Sequence, residues 1–103
     1  MLLEIKKELK KSTLILSFVG VLDYSTIDGF SPELPDNLTN IIVDLSGLSF
    51  IDSTGIGAIL DIIYHSSEHR INVDFQGLNE EVKALFDTIG VFRIVESLLK
   101  RGQ

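Results

Sequence analysis

The alternation of short apolar runs with segments of helical periodicity constrains the fold of this chain more than any other feature. Residues 13–19 (TLILSFV) and 41–45 (IIVDL) are rich in the residue types that favour buried strands. Residues 71–75 (INVDF) alternate between apolar and polar side chains, as a half-buried strand does. In a chain of 103 residues, strands that alternate with helices predict one α/β domain with a mainly parallel sheet.

Helical periodicity follows two of these strands. The first helix is predicted to begin after Asp52, and its buried face is expected to contain apolar residues at helical spacing: Ile56, Ile59, Leu60 and Ile63. The second helix is predicted to begin at a capping Asn79 and to end at Gly90. Its expected buried face is again apolar: Val82, Leu85, Phe86 and Ile89.

Shorter signals complete the predicted fold. Residues 3–9 indicate an edge strand, Gly20 is expected to end the next strand, and residues 46–47 are expected to turn the chain. Residues 23–25 are predicted to cap a short helix that runs to Phe30.

A last short strand over residues 91–95 and a terminal helix over residues 96–101 are also expected. The whole prediction is a single α/β domain over residues 1–103. It has a mostly parallel sheet of four to five strands with an antiparallel N-terminal edge hairpin, packed against about four helices.

The distribution of charge indicates a protein partner rather than nucleic acid. Residues 12–69 contain no lysine or arginine but eight acidic residues, in a chain of net charge −6. Nucleic-acid sites need clustered cations, so this region favours a partner with a basic surface. The absence of cysteine excludes a disulfide scaffold and a thiolate zinc site. No apolar run is long enough to span a bilayer, and we expect a cytoplasmic protein without a membrane partner.

The segment FIDSTGIGAIL, residues 50–60, contains the candidate site. Ser53 or Thr54 is expected to cap the helix, and the charge of Asp52 suits the positive end of the helix dipole. Gly55 and Gly57 each cost a helix roughly 1 kcal/mol relative to alanine. We therefore expect these glycines to let another molecule approach closely, and we expect the helix N-terminus to hold a phosphate on Ser53.

Three segments resemble the STAS family of sulfate transporters and anti-sigma factor antagonists. LSGLSFIDSTGIGAIL (residues 45–60) is similar to the family's central motif of strand, D-S-[ST]-G and apolar helix. GVLDYST (residues 20–26) resembles its G-x-L-D segment, and VKALFDTIGVFRIV (residues 82–95) resembles its third helix and the turn beyond. The similarity covers nearly the whole chain.

The resemblance implies a stand-alone bacterial anti-sigma factor antagonist, a binding switch and not an enzyme. The family's phosphorylated serine matches Ser53, with Thr54 as the alternative, and the flanking aspartates match Asp23 and Asp52. The implied partners are an anti-sigma factor with serine-kinase activity and a serine phosphatase, and any ATP and Mg²⁺ belong to the kinase, so no cofactor is expected. The implied partner-binding residues surround this position: Asp23, Asp52, Ser53, Thr54, Gly55 and Gly57.

Other functions fit the residues less well. A nucleotide-binding or scaffold STAS module remains an alternative, although no P-loop is present. An aspartic protease half would have one residue fewer between Asp52 and Gly55. A serine hydrolase would need a histidine near Ser53, and a receiver domain would need an acidic pair and a late lysine in other positions. The region between Asp23 and Ile41 is shorter than the family pattern and holds two prolines, which leaves the choice of kinase open.

Overall fold

The computed structural model describes residues 3–27, 34–90 and 93. In chain order its elements are β1 (Leu3–Lys10), β2 (Thr13–Leu22), β3 (Asn40–Ile51), α1 (Ser53–Glu68), β4 (Asn72–Gln76) and α2 (Glu80–Ile89). The strands form one sheet in the order β1-β2-β3-β4, in which β1 is antiparallel to β2 and the other neighbours are parallel. The predicted α/β architecture with an antiparallel edge hairpin is confirmed.

One face of the sheet forms the core together with the helices. Side chains on this face alternate along the two central strands and are buried: Leu14, Leu16, Phe18, Ile41, Val43 and Leu45. The helix α1 packs against β3 and β4. Phe86 of α2 meets Phe75 of β4 edge to face, with ring centroids 5.5 Å apart. The core therefore lies beneath the helix that carries the candidate site.

The two central strands are longer than the sequence pattern indicated. The predictions that Gly20 ends one strand and that Ser46 and Gly47 turn the chain are wrong, because β2 continues to Leu22 and β3 to Ile51. The register shifts twice in this stretch, and β3 contributes the extra residue each time. Bulges accommodate glycine and short polar residues inside a strand, so these turn-forming residues do not end the strands here.

The buried face of α1 is displaced from the predicted one by a fraction of a turn. Ile56, Ile59 and Ile63 are buried as expected, and Ile62 is fully buried as well. Leu60 is only partly buried at the edge of the core, so the prediction that it lies in the buried face is wrong. The reason is that the face of α1 centres on Ile59 and Ile62, which places Leu60 to one side.

The second helix begins and ends where its capping residues indicated. The Asn79 side chain accepts a hydrogen bond from the Val82 N–H at 2.8 Å, and Gly90 ends the helix in the left-handed conformation with φ 85°. Val82 and Phe86 are buried, and Leu85 is packed against the core. Among the described residues, no helix combines the length and the apolar character needed to cross a bilayer.

Some predicted elements lie at the limits of the described residues. The predicted helix from Asp23 begins as a turn in which Thr26 N–H and Ile27 N–H both donate to the Asp23 carbonyl. Its remainder, through Phe30, lies outside the described residues. The last strand and the terminal helix, residues 91–101, also lie outside them except for Arg93, which is helical rather than extended.

Candidate functional site

The carboxyl ends of β2 and β3 bring the two predicted aspartates together. Leu22 and Ile51 are paired at these ends, and the Asp52 N–H donates to the Leu22 carbonyl at 3.3 Å. The Asp52 side chain then accepts a hydrogen bond from the Tyr24 N–H at 3.2 Å. The turn that follows β2 and the start of α1 are therefore one connected surface, at the strand ends where ligands of parallel sheets bind.

Asp52, rather than Ser53 or Thr54, caps α1. Its backbone is extended, with φ −111° and ψ −174°, and its Oδ1 accepts the Gly55 N–H at 2.9 Å. The expectation that a hydroxyl caps the helix is wrong, because the first helical residue is Ser53 and the capping position is the one before it. Both hydroxyls are therefore released from the capping role.

Ser53 and Thr54 are both exposed in the first turn of α1. Neither hydroxyl, and neither backbone N–H, has a hydrogen-bond partner among the residues that the structure describes. Both hydroxyls are accessible at the surface, and the geometry of the site does not distinguish one from the other.

The Asp23 carboxylate is held rigidly within the turn after β2. Asp23 is 9% exposed, and its Oδ1 accepts hydrogen bonds from the Ser25 hydroxyl at 2.6 Å and the Ser25 N–H at 2.9 Å. The Thr26 hydroxyl, which donates to the Val21 carbonyl at 2.9 Å, braces the same turn. Hydrogen bonding from the Ser25 hydroxyl is the largest cause that lowers the pKa of Asp23, against a smaller opposing effect of burial. Asp23 is thus a fixed negative charge beside the start of α1.

The two glycines of the motif have different surroundings. A Cβ on Gly55 would overlap the Leu22 carbonyl oxygen and lie 2.8 Å from Ile51 Cγ1. Gly55 is buried, so the close approach that it permits is that of the chain's own strand ends, and this corrects the reason we expected for it. A Cβ on Gly57 would meet no atom of the described residues within 4 Å, so this part of the structure leaves open space above Gly57.

Two aromatic residues beside the site were not among the predicted site residues. Tyr24, in the turn after β2, is 74% exposed, and Phe50, near the end of β3, is 53% exposed. Phe50 lies in an apolar stretch that favours burial, and the register shift that precedes it in β3 is not visible in the sequence. The sequence signal for Tyr24 was its position directly after Asp23.

The histidines that a serine hydrolase would need, and a cavity that a nucleotide could enter, both lie away from Ser53. The rings of His65 and His69 stack 4.4 Å apart near the C-terminal end of α1, about 18 Å along the helix axis from Ser53. A surface cavity of about 720 Å³ borders these histidines, and the lining residues that the structure describes include no lysine or arginine: Leu34, Pro35, Asp36, Asn37, Leu38, His65, His69 and Ile71. Such a lining lacks the cationic side chains that bind phosphate groups. The histidines are too far from Ser53 to take a proton from its hydroxyl.

Comparisons with known proteins find a matching family and a related sequence. The profile of the STAS domain family matches residues 4–101. An anti-sigma F factor antagonist from Paenibacillus polymyxa is 28% identical to this chain over 98 residues, which cover 90% of this chain and 84% of the relative.

Two solved structures share the fold. The anti-sigma factor antagonist SpoIIAA in its unphosphorylated form has a TM-score of 0.67 and 18% identity, covering 84% of this chain and 82% of that chain. A sulfate transporter family protein from Wolinella succinogenes has a TM-score of 0.74 and 13% identity, covering 86% of this chain and 75% of that chain. At these identities the likeness establishes the fold alone.

Proposed function

Because this chain belongs to the STAS domain family, we propose that it is an anti-sigma factor antagonist controlled by phosphorylation of Ser53. In its unphosphorylated form it binds an anti-sigma factor with serine-kinase activity and so frees a sigma factor for transcription. The similarity to the Paenibacillus polymyxa antagonist supports this function. The observation that carries it is the exposed Ser53 hydroxyl, which has no partner among the described residues and lies beside the carboxylate that caps α1.

The proposed reaction belongs to the partner's active site. The Ser53 oxygen attacks the γ-phosphorus of the kinase-bound ATP, the hydroxyl proton is lost, and ADP leaves. A serine phosphatase hydrolyses the phosphate ester and regenerates the hydroxyl with inorganic phosphate. The chain is the substrate and the ligand, and ATP and Mg²⁺ belong to the kinase. All of these steps are proposed to take place in the cytoplasm.

The phosphate would add charge to a surface that is already negative. The Asp52 carboxylate occupies the Gly55 N–H and the Tyr24 N–H, so the phosphate would have only the first two N–H groups of α1 available. A phosphate adds roughly −2 charge at neutral pH. We expect it to remain at the surface between Asp23 and Asp52 and to weaken binding by its bulk and by repulsion from the nucleotide phosphates held in the partner's kinase site, although the surrounding contact surface of the partner is basic.

Replacement of Ser53 tests the switch. Ser53→Ala should bind the partner like the wild type and resist phosphorylation. Ser53→Asp should keep its fold, because Asp52 still caps the helix, and should bind weakly. Calorimetric titration of both variants with the partner measures the difference, and far-ultraviolet circular dichroism controls for folding. Equal affinity of Ser53→Asp and the wild type would count against the charge mechanism.

The choice between the two hydroxyls needs a separate experiment. Ser53 is proposed as the acceptor because it matches the family's phosphorylated position, whereas both hydroxyls are exposed. Incubation of the chain with the partner kinase and ATP, followed by mass spectrometry, locates the phosphate. Phosphate on Thr54 alone would overturn the assignment, and Thr54→Ala is the matched control for Ser53→Ala.

A scaffold or nucleotide-binding module is the second candidate. The likeness to a sulfate transporter family protein favours it, since the same fold occurs outside anti-sigma factor antagonists. Capture of the chain's partners from native cells, with mapping of phosphorylated sites, separates the two functions. An anti-sigma factor among the partners and phosphate on the chain support the switch. A larger assembly without a kinase, or nucleotide bound by the chain alone, supports the alternative.

A further inference from the structure

The aromatic pair, Tyr24 and Phe50, has no role in the phosphorylation proposed for Ser53. Most large apolar side chains of the described residues are buried, and four are exposed: Leu9, Tyr24, Phe50 and Tyr64. Tyr24 is 74% exposed and Phe50 is 53% exposed, and burial of such side chains against a partner is favourable. Two of the four, Tyr24 and Phe50, belong to the segments that meet Asp52 at the carboxyl ends of β2 and β3.

Both Tyr24 and Phe50 are connected to Asp52, Phe50 along the strand β3 and Tyr24 through a backbone N–H. Phe50 precedes Asp52 by two residues in β3, and the register pairs it with Val21 of β2. The Tyr24 N–H donates to the Asp52 carboxylate at 3.2 Å, which anchors the turn after β2 against the start of α1. These bonds place the aromatic pair and the Ser53 hydroxyl at the same end of the sheet.

We propose that Tyr24 and Phe50 are the apolar anchors by which this chain binds its anti-sigma factor. This inference rests on the proposed function and adds the chemistry of the contact: an apolar pocket on the partner, surrounded by basic side chains. Aromatic side chains dominate the binding energy of many interfaces when a polar rim excludes water around them. Here the rim is acidic, since Asp23 and Asp52 flank the pair and residues 12–69 contain no lysine or arginine.

The same charges disfavour a second copy of the chain as the occupant. A symmetric contact through this surface would bring the acidic rim of one copy against the identical rim of the other, and like charges repel across an interface. A basic partner would instead be attracted to the acidic rim. The charge around the aromatic pair therefore favours a basic partner over a second copy of the chain.

Alanine variants of the aromatic pair test the inference. The probe is the purified anti-sigma factor that phosphorylates the chain, titrated calorimetrically with the wild type, Tyr24→Ala and Phe50→Ala. Each variant should bind about 30-fold more weakly or worse, as truncation of a dominant interface residue does. The Tyr24→Ala variant keeps the backbone N–H that bonds Asp52, so the turn is not deprived of that contact. Urea denaturation of each variant measures any loss of folding.

Tyr64→Ala is the matched control. Tyr64 is 46% exposed on α1 and lies about 16 Å along the helix axis from Ser53. Its replacement removes the same kind of side chain away from the proposed contact, so its affinity should stay within about 2-fold of the wild type, the range of neutral surface substitutions.

The outcomes separate this inference from the proposed function. If no anti-sigma factor from native cells binds or phosphorylates the wild type, the proposed function fails and the inference fails with it. If the wild type binds and either Tyr24→Ala or Phe50→Ala binds equally well, the inference is overturned while the function stands. Equal weakening by Tyr64→Ala also overturns it. Sedimentation of the free chain completes the test, since a wild-type dimer that Tyr24→Ala dissociates would assign the pair to self-association.

Discussion

The two ends of the helix α1 differ in whether their backbone groups have hydrogen-bond partners. We call the C-terminal end the closed end and the N-terminal end the open end. At the C-terminal end the chain satisfies its own carbonyl groups, since the Ile71 N–H donates to the Ser66 carbonyl at 2.8 Å and the His69 N–H donates to the His65 carbonyl at 3.3 Å. At the N-terminal end the Ser53 N–H has no partner among the described residues. The N-terminal end therefore keeps exposed hydrogen-bond donors, and it is the end at which we propose that the partner binds.

Two serines of α1 repeat this contrast. The hydroxyls of Ser53 and Ser66 both have no hydrogen-bond partner among the described residues. Ser53 is exposed, so water can satisfy its hydroxyl and an enzyme can reach it. Ser66 is 0% exposed, so a hydroxyl that stays unpaired there would cost stability. Of these two hydroxyls, only that of Ser53 is accessible from solvent.

The largest expected effect on stability comes from the buried face in the middle of α1. Ile59 is 0% exposed, and Ile59→Ala should lower the free energy of unfolding by about 2–5 kcal/mol through lost burial and a cavity. Leu60→Ala is the control and should cost about 1 kcal/mol, because Leu60 is only partly buried. Urea denaturation measures both, and a larger loss for Leu60→Ala would mean that the face of α1 is misassigned.

The two glycines of the open end should respond to alanine with opposite signs. Gly55→Ala should lower stability by about 1–3 kcal/mol, because its Cβ would overlap the Leu22 carbonyl. Gly57→Ala should raise stability by up to about 1 kcal/mol, since alanine favours the helix and none of the described residues comes within 4 Å of the added Cβ.

Partner binding separates the two glycines further. Gly57→Ala should weaken binding of the anti-sigma factor while leaving the fold more stable, because the added methyl group projects into open space at the site. Denaturation and titration of the same preparation give both values. Loss of stability in Gly57→Ala would contradict the open surroundings of that residue.

Removal of the cap should weaken the open end by a smaller amount. Asp52→Ala deletes the side chain that accepts the Gly55 N–H and the Tyr24 N–H, and it should cost about 0.5–2 kcal/mol. Ser53→Ala should change stability by less than about 0.5 kcal/mol, because that hydroxyl caps nothing. Thermal or urea unfolding of the two variants measures both changes in stability. Equal losses for Asp52→Ala and Ser53→Ala would indicate that Ser53 shares the capping role.

A small effect of the opposite sign is expected at the C-terminal end of α1. Ser66→Ala should leave stability unchanged or raise it by about 1 kcal/mol, since it removes an unpaired hydroxyl from the core. Ser66→Val tests whether the site also lacks volume. Chemical denaturation is sensitive enough for this difference, and a clear loss of stability in Ser66→Ala would reveal a hydrogen bond to this hydroxyl.

The fold could be predicted from periodicity and capping residues because these signals are local. The helix that begins at Asn79 and ends at Gly90 is an example, since both caps act within one turn. The ends of β2 and β3 could not be predicted, because a glycine or serine inside a strand depends on bulges formed with a neighbouring strand. Leu60 was misplaced for a similar reason, since packing against the sheet sets the centre of the buried face.

The site was predictable as a motif but not as an arrangement. The sequence placed Asp52 and Ser53 at the start of a helix, and the resemblance to a known family paired them with Asp23. The bond from the Tyr24 N–H to Asp52 joins residues 28 positions apart, and the contact that requires Gly55 involves Leu22. Such contacts depend on the strand register, which local sequence patterns do not reveal.

The central claim is that phosphate on Ser53 controls binding of the anti-sigma factor. It is tested most directly by calorimetric titration of that partner with unphosphorylated chain and with chain shown by mass spectrometry to carry phosphate on Ser53. A loss of about 3 kcal/mol, which is roughly two orders of magnitude in affinity, is the predicted result. Equal affinity of the two forms would contradict the account and leave Ser53 as an ordinary exposed residue at the start of a helix.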